Sequence, residues 1–206
     1  MEKFKRLHAI AAPLLVANID TGALAPSQWG RDNPNNLGPG LLLEMRQDMN
    51  GVEYPDFVLN QHRYKNCEIL LAGLNFGCGS SRETAVWALM QFGIKCVIAP
   101  GYGEIFRDNA YQNGLLPVEL PEESVLRLAS IVENAAEPLL SVDLEQGIVE
   151  ASGLALRFEI PADRKAALLE GLDETMWLRR CENDIAGFRN HDKILRPWIY
   201  DRTVTP

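Results

Sequence analysis

The sequence predicts an α/β domain, a mixed and largely parallel sheet flanked by helices, and three observations point to it. Two short apolar runs, Glu68–Ala72 and Cys96–Ala99, bracket a segment with helical periodicity. A second helical segment leads at once into another strand-like run, Leu115–Leu120. Later segments turn over at single glycines, as small antiparallel pairings do. Strand, helix and strand in so short a span make a parallel unit with a right-handed crossover. The chain has 206 residues, 47% of them hydrophobic, enough for one core with a small appendage. A single domain over 1–206 is expected, with a helical C-terminal extension from about 161.

In chain order, Phe4–Val16 reads as a strand. Lys3, Lys5 and Arg6 ahead of the apolar run Ala9–Ala17 imitate a secretory signal, but Pro13 interrupts that run and turn chemistry at Asn18–Gly22 follows it. A short apolar piece ends at Pro26. Residues Ser27–Gly40 carry Gly30, Pro34, Gly38, Pro39, Gly40 and three asparagines, too much punctuation for a regular element, and a loop of this length inside a compact domain is either disordered or functional. Between the two bracketing strands, Ala85, Val86, Ala88, Leu89 and Phe92 recur at spacings of three and four, and Gly93 stops the helix. A second helix covers Tyr102–Asn113 and ends at Gly114. Pro121-Glu122-Glu123 starts a third, to about Asn134. Leu139–Leu144 and Leu154–Ile160 are expected to pair around Gly147 and Gly153. Helices follow at Pro161–Leu169 and Asp173–Arg189, and the tail from Arg196 is expected to be loosely held.

The formal charge of −8, with no basic run, argues against nucleic acid as a partner. No stretch has the length to cross a membrane. Cys67, Cys78, Cys96 and Cys181 lack a C-x-x-C pair, so spacing gives neither a disulfide framework nor a metal or cluster site in this chain; reduced thiols in a cytoplasm fit this usage. His8, His62 and His191 stand alone and are given no role.

Chemistry concentrates in Asn75-Phe76-Gly77-Cys78-Gly79-Ser80-Ser81-Arg82-Glu83, which joins the carboxyl end of a buried strand to the amino end of a helix. Gly77 and Gly79 allow backbone that turns several N–H groups into one concavity, where the helix end adds positive potential. Arg82 offers a two-pronged donor for a carboxylate beside the hydroxyls of Ser80 and Ser81. Ser80-x-x-Glu83 is also a capping box, which would do no more than start the helix. Two glycines, two serines and an arginine exceed what a cap requires. The spacing fits neither a Walker loop, a dinucleotide fingerprint nor a nucleophile elbow. Cys78 between two glycines reads as a small buried filler, and Trp29 with Arg31 on the long loop could face a substrate.

Gly-Cys-Gly-Ser-Ser-Arg-Glu at 77–83 resembles the active-site loop of the swivelling β/β/α domain of aconitases and isopropylmalate dehydratases. The likeness continues in order through Asn18-Ile19-Asp20-Thr21, Ala23–Pro26, Pro55–Asn60, Val97–Pro100, Ile105–Asn109 and Asn113–Val118, covering most of the chain from Asn18 to about Ile160. It implies the small subunit of a heteromeric hydro-lyase that moves a hydroxyl between adjacent carbons of a hydroxy-dicarboxylate such as 2- or 3-isopropylmalate, a step of leucine biosynthesis. The resemblance places a [4Fe–4S] cluster on a large partner subunit and none on this chain. It makes Ser80 the base that takes a proton from carbon, with Ser81, Arg82 and Gly79 binding substrate and Arg31 a weaker candidate. Two departures bear on the substrate: Gly22 stands where the family turn carries an acid, and Asn35–Gly40 occupies the region where relatives place a selecting arginine. Hydro-lyases of citraconate, dimethylmalate or homoaconitate are the alternatives, as is a non-catalytic anion-binding swivelling domain. An RNA-binding role, known in the wider family, is opposed by the acidic balance.

Overall fold

The computed structural model describes residues 1–79 and 82–200. They divide into a unit from Met1 to Gly171 and a second from Leu172 onward.

In the first unit, strand β1 (Arg6–Leu14) is followed by helices α1 (Thr21–Leu24), α2 (Ser27–Asp32) and α3 (Leu43–Arg46). Then come β2 (Ile69–Ala72), α4 (Thr84–Phe92), β3 (Cys96–Ala99), α5 (Glu104–Asn113), β4 (Leu116–Glu119) and α6 (Glu122–Asn134). Strands β5 (Leu139–Asp143), β6 (Ile148–Ala151) and β7 (Leu154–Arg157) precede α7 (Ala162–Glu170). The seven strands form one sheet in the order β4-β3-β2-β1-β5-β6-β7, so the expected mixed α/β architecture is present. The pairings from β4 to β1 are parallel and those from β1 to β7 antiparallel.

Burial explains which segments became strands. Every residue of β2 and β3 is buried, as short apolar strands covered on both faces require. The two prolines in strands fall where the sheet tolerates a missing N–H. Pro117 lies on the edge strand β4, and Pro13 pairs with Leu71 of β2 beyond Ile10, where the β5 register ends. Helix α6 buries Val125, Leu128, Ala129 and Val132 at helical spacing and packs on β1, β2, β3 and β6. Helices α4 and α5 pack on each other, and each ends on a left-handed glycine, Gly93 at φ 116° and Gly114 at φ 94°.

Three expectations are corrected. Ser27–Gly40 is not structureless, because α2 occupies its first half and a 3-10 turn spans Gly38–Gly40. Trp29 holds the two halves together, its indole N–H donating to the Asn36 carbonyl at 2.9 Å. The amide N–H of Leu37 donates to Gln91 Oε1 on α4 at 2.6 Å, which ties the segment down. The antiparallel pairing expected around Gly147 and Gly153 is present, but it runs through a strand that the sequence did not mark, β6, which lies between the two segments and pairs with both. The expected Asp173–Arg189 helix breaks at Cys181 into α8 (Glu174–Arg180) and α9 (Glu182–Leu195); a further turn, α10 (Pro197–Tyr200), follows, and the rest of the expected loose tail, 201–206, lies outside the described residues.

Candidate active site

Three loops leave the carboxyl ends of β1, β2 and β3, and the backbone joins them into a short continuation of the sheet. The glycine loop after β2 is the middle strip. On one side Asn18 N–H donates to Leu74 O at 2.8 Å, Gly77 N–H to Ile19 O at 2.8 Å and Thr21 N–H to Cys78 O at 2.9 Å. On the other side Phe76 N–H donates to Gly101 O at 3.0 Å and Gly103 N–H to Phe76 O at 2.9 Å. The stretch 74–78 of this loop is therefore fixed at both margins, at the sheet position where ligands bind in α/β folds.

Two glycines do different work in it. Gly77 is buried with φ 70°, and a Cβ there would stand only 2.3 Å from Cγ of the Phe106 ring. That ring is edge-on to Phe76, with centroids 5.4 Å apart. Gly79 is exposed with φ 92°, and its nearest neighbours are Asp20 and Thr21. Gly77 lets the loop lie against the aromatic layer, whereas Gly79 turns the chain at the open surface.

Ser80 and Ser81 lie outside the described residues. The loop resumes at Arg82, which is exposed and donates from Nη1 to Ser27 Oγ at the start of α2. Arg82 and α2 are thus brought together, and Ser27 is a contact that sequence reasoning missed; the one available signal was a Pro-Ser pair opening a helix. Glu83, the other half of the capping box, accepts from Asn113 Nδ2 of α5 at 2.7 Å, and Asn113 Oδ1 accepts from the Trp87 indole at 2.9 Å. This brace links α4 to α5. Arg31 is exposed on α2 and donates to Gln28 Oε1 at 2.7 Å, a bond within its own helix.

Asp20 caps α1, its Oδ1 accepting from Ala23 N–H at 2.7 Å. A Cβ on Gly22 would stand 3.2 Å from that same oxygen. Asp20 is the one carboxylate of the turn 18–22. Cys78 is half-buried, not the buried filler expected.

Two of the four thiols, Cys67 and Cys96, are buried in the core. Burial pushes Cys67 up to about 11 and also raises Cys96, holding both as protonated core residues. Among the described residues, no three His, Cys, Asp or Glu side chains gather as a metal site. No described helix is long and apolar enough to cross a membrane.

An α/β domain with a pinned glycine loop and an arginine at the carboxyl ends of parallel strands has the donors that an anionic ligand would need there. Its family is identified by comparison with known proteins. The family model for the aconitase C-terminal domain matches residues 1–123, and the chain belongs to that family. Curated relatives named 3-isopropylmalate dehydratase small subunit match throughout. Those of Parvibaculum lavamentivorans and Dinoroseobacter shibae are each 44% identical over 201 residues, 97% of this chain and 100% of theirs. The crystal structure of 3-isopropylmalate dehydratase from Methanocaldococcus jannaschii has the same fold, with a TM-score of 0.62 at 24% identity over 88% of this chain and 98% of that one.

Proposed function

We propose that this chain is the small subunit of a cytoplasmic hydro-lyase that interconverts 2- and 3-isopropylmalate, acting with a large subunit. The observation that carries the reading is the full-length match to small subunits of that name, on a chain whose glycine loop is set at the ligand edge of its sheet. In this reading the large subunit bears the [4Fe–4S] cluster, which supplies Lewis acidity at the departing hydroxyl. This chain's part is proton transfer and anchorage. Ser80 is the base that takes the proton from carbon. A serine hydroxyl is far too weakly acidic for this in water, so the glycine loop's N–H groups and the start of α4 must stabilise its anion. Ser81 and the Gly79 backbone bind beside it. Arg82 exchanges the neutral Ser27 hydroxyl for a substrate carboxylate, a stronger, charge-assisted partner that rewards the exchange. Arg31, one helical turn beyond Ser27, is the cation of α2 and the weaker candidate for the substrate's far end.

The test is anaerobic isomerase activity of this chain reconstituted with a cluster-loaded large subunit, beside its Ser80→Ala variant. The expected result is turnover of both isopropylmalate isomers and a loss of at least ~100-fold in kcat in the variant, with association retained. Association without turnover of either isomer would move the substrate to citraconate, dimethylmalate or homoaconitate. Full activity in the variant would remove Ser80 as the base.

A further inference from the structure

The C-terminal unit lacks what holds the rest of the chain together. Every residue of the hydrophobic core lies before Gly171. Among the described residues from Leu172 to Tyr200, Asp192 alone is buried. Three helices with no buried apolar side chain are marginal in water by themselves, since tertiary burial stabilises most helices.

The apolar side chains of this unit are present but uncovered. Ile194 is 79% exposed, Trp198 69%, Phe188 63% and Leu195 60%, with Ile199 and the run Met176–Leu178 exposed as well. At ~200 Å² for a large side chain and roughly half of each uncovered, these and Tyr200 leave ~900 Å² of apolar surface, about what one partner gives to a standard interface.

A polar staple holds part of this surface in shape. The Asp192 carboxylate accepts from Arg196 Nε at 2.6 Å and from the Tyr200 hydroxyl at 2.9 Å, and Lys193 lies 5.6 Å from the Tyr200 ring centroid. The staple fixes the α9–α10 corner, from which Ile194, Leu195, Trp198 and Ile199 project. A pre-ordered patch with a central tryptophan has the make-up of an interface hot spot.

Charge and distribution favour a different chain over a second copy as the occupant. The unit holds six of the 20 basic and six of the 28 acidic side chains, so the whole formal charge of −8 lies on residues 1–171. Two copies joined through this patch would bring two acidic bodies together. The match to small subunits spans 201 of 206 residues, so it includes at least 30 residues of this unit; the surface belongs to chains whose name implies a large partner.

We propose that residues 172–200 are a docking arm whose apolar corner, centred on Trp198 and Ile194, is covered by the cluster-bearing large subunit. This rests on the function proposed above. The experiment titrates the full-length chain with its cognate cluster-loaded large subunit, anaerobically, reading association by sedimentation and turnover separately. Trp198→Ala with Ile194→Ala is expected to weaken association by ~30-fold or more, with turnover at saturating large subunit unchanged within ~2-fold. Trp198→Phe keeps an aromatic anchor and is expected to recover most of the loss, which a misfolded arm would not allow. Unchanged association in the double variant, with an active wild-type pair, would overturn the docking arm and leave the function standing. Self-association of the isolated chain that the same variant abolishes would overturn it in favour of a second copy. A wild-type chain that neither associates nor turns over would take both readings down together.

Discussion

Gly77 shows how one residue position carries both a backbone and a packing requirement. Sequence reasoning sees the first, because a glycine between strand and helix suggests a turn. The second depends on Phe106, which is remote in sequence and reaches the loop only through the sheet. Gly51 separates the two contributions, with φ 79° and nothing within 4 Å of the position of its Cβ. Gly51→Ala is expected to cost about 1 kcal/mol, the left-handed backbone alone. Gly77→Ala adds the clash with the Phe106 ring and is expected to cost about 3 kcal/mol or more. Urea denaturation of the two variants measures the difference, and equal costs would show that Phe106 yields freely. Sequence also marks Arg82 and Gly79, but Ser27 as the partner of Arg82 was hidden because it lies at the head of a segment read as loop.

Among the elements, the parallel half of the sheet was the most legible, since β2, α4, β3, α5, β4 and α6 are bounded by glycine or proline and patterned over their whole length. What escaped was short. Strand β6 has four residues between Gly147 and Gly153, too few for a period to declare itself. Helix α2 has no buried residue and contains Gly30, so its stability comes from neighbours that sequence does not show. The seam between the sheet's two halves, β1 with β5, has a device that titration can test. Arg6 and Asp143 are cross-strand partners, and Asp143 Oδ2 accepts from Arg6 Nη2 at 2.6 Å. The Gln146 N–H first, then Arg6, hold the Asp143 carboxyl below its ordinary range. It therefore stays ionised to lower pH in the fold than in the unfolded chain. The stability it confers is complete above the unfolded pKa of ~4 and is lost as pH falls through the lower folded value. Asp143→Asn is expected to be less stable than the parent at pH 7, with the gap closing as pH drops from 4 towards 2. A gap independent of pH would mean that the amide loses packing and not charge.

For the whole molecule, the boundary near Gly171 was the least legible feature. Sequence reasoning starts a helical extension at about 161, where the first of the last two expected helices begins. Periodicity reports an amphipathic helix but not what covers its apolar face. Helix α7 buries Leu168, and Phe4 N–H donates to Leu168 O at 2.9 Å, so α7 belongs to the first unit. The Met1 amino group reaches Gly171 O at 3.3 Å, which closes that unit on itself. From Leu172 onward the side chains that would form a core are exposed. A chain ending at Gly171 keeps every residue of the core, and is expected to unfold in one cooperative transition within about 3 °C of the full-length Tm, a shift of about 1 kcal/mol for a unit of this size. Calorimetry of the two chains measures it. A drop of 10 °C or more would show that the last helices stabilise the body, whereas a preserved Tm together with lost association to the large subunit separates folding from docking and assigns each to its own part of the chain.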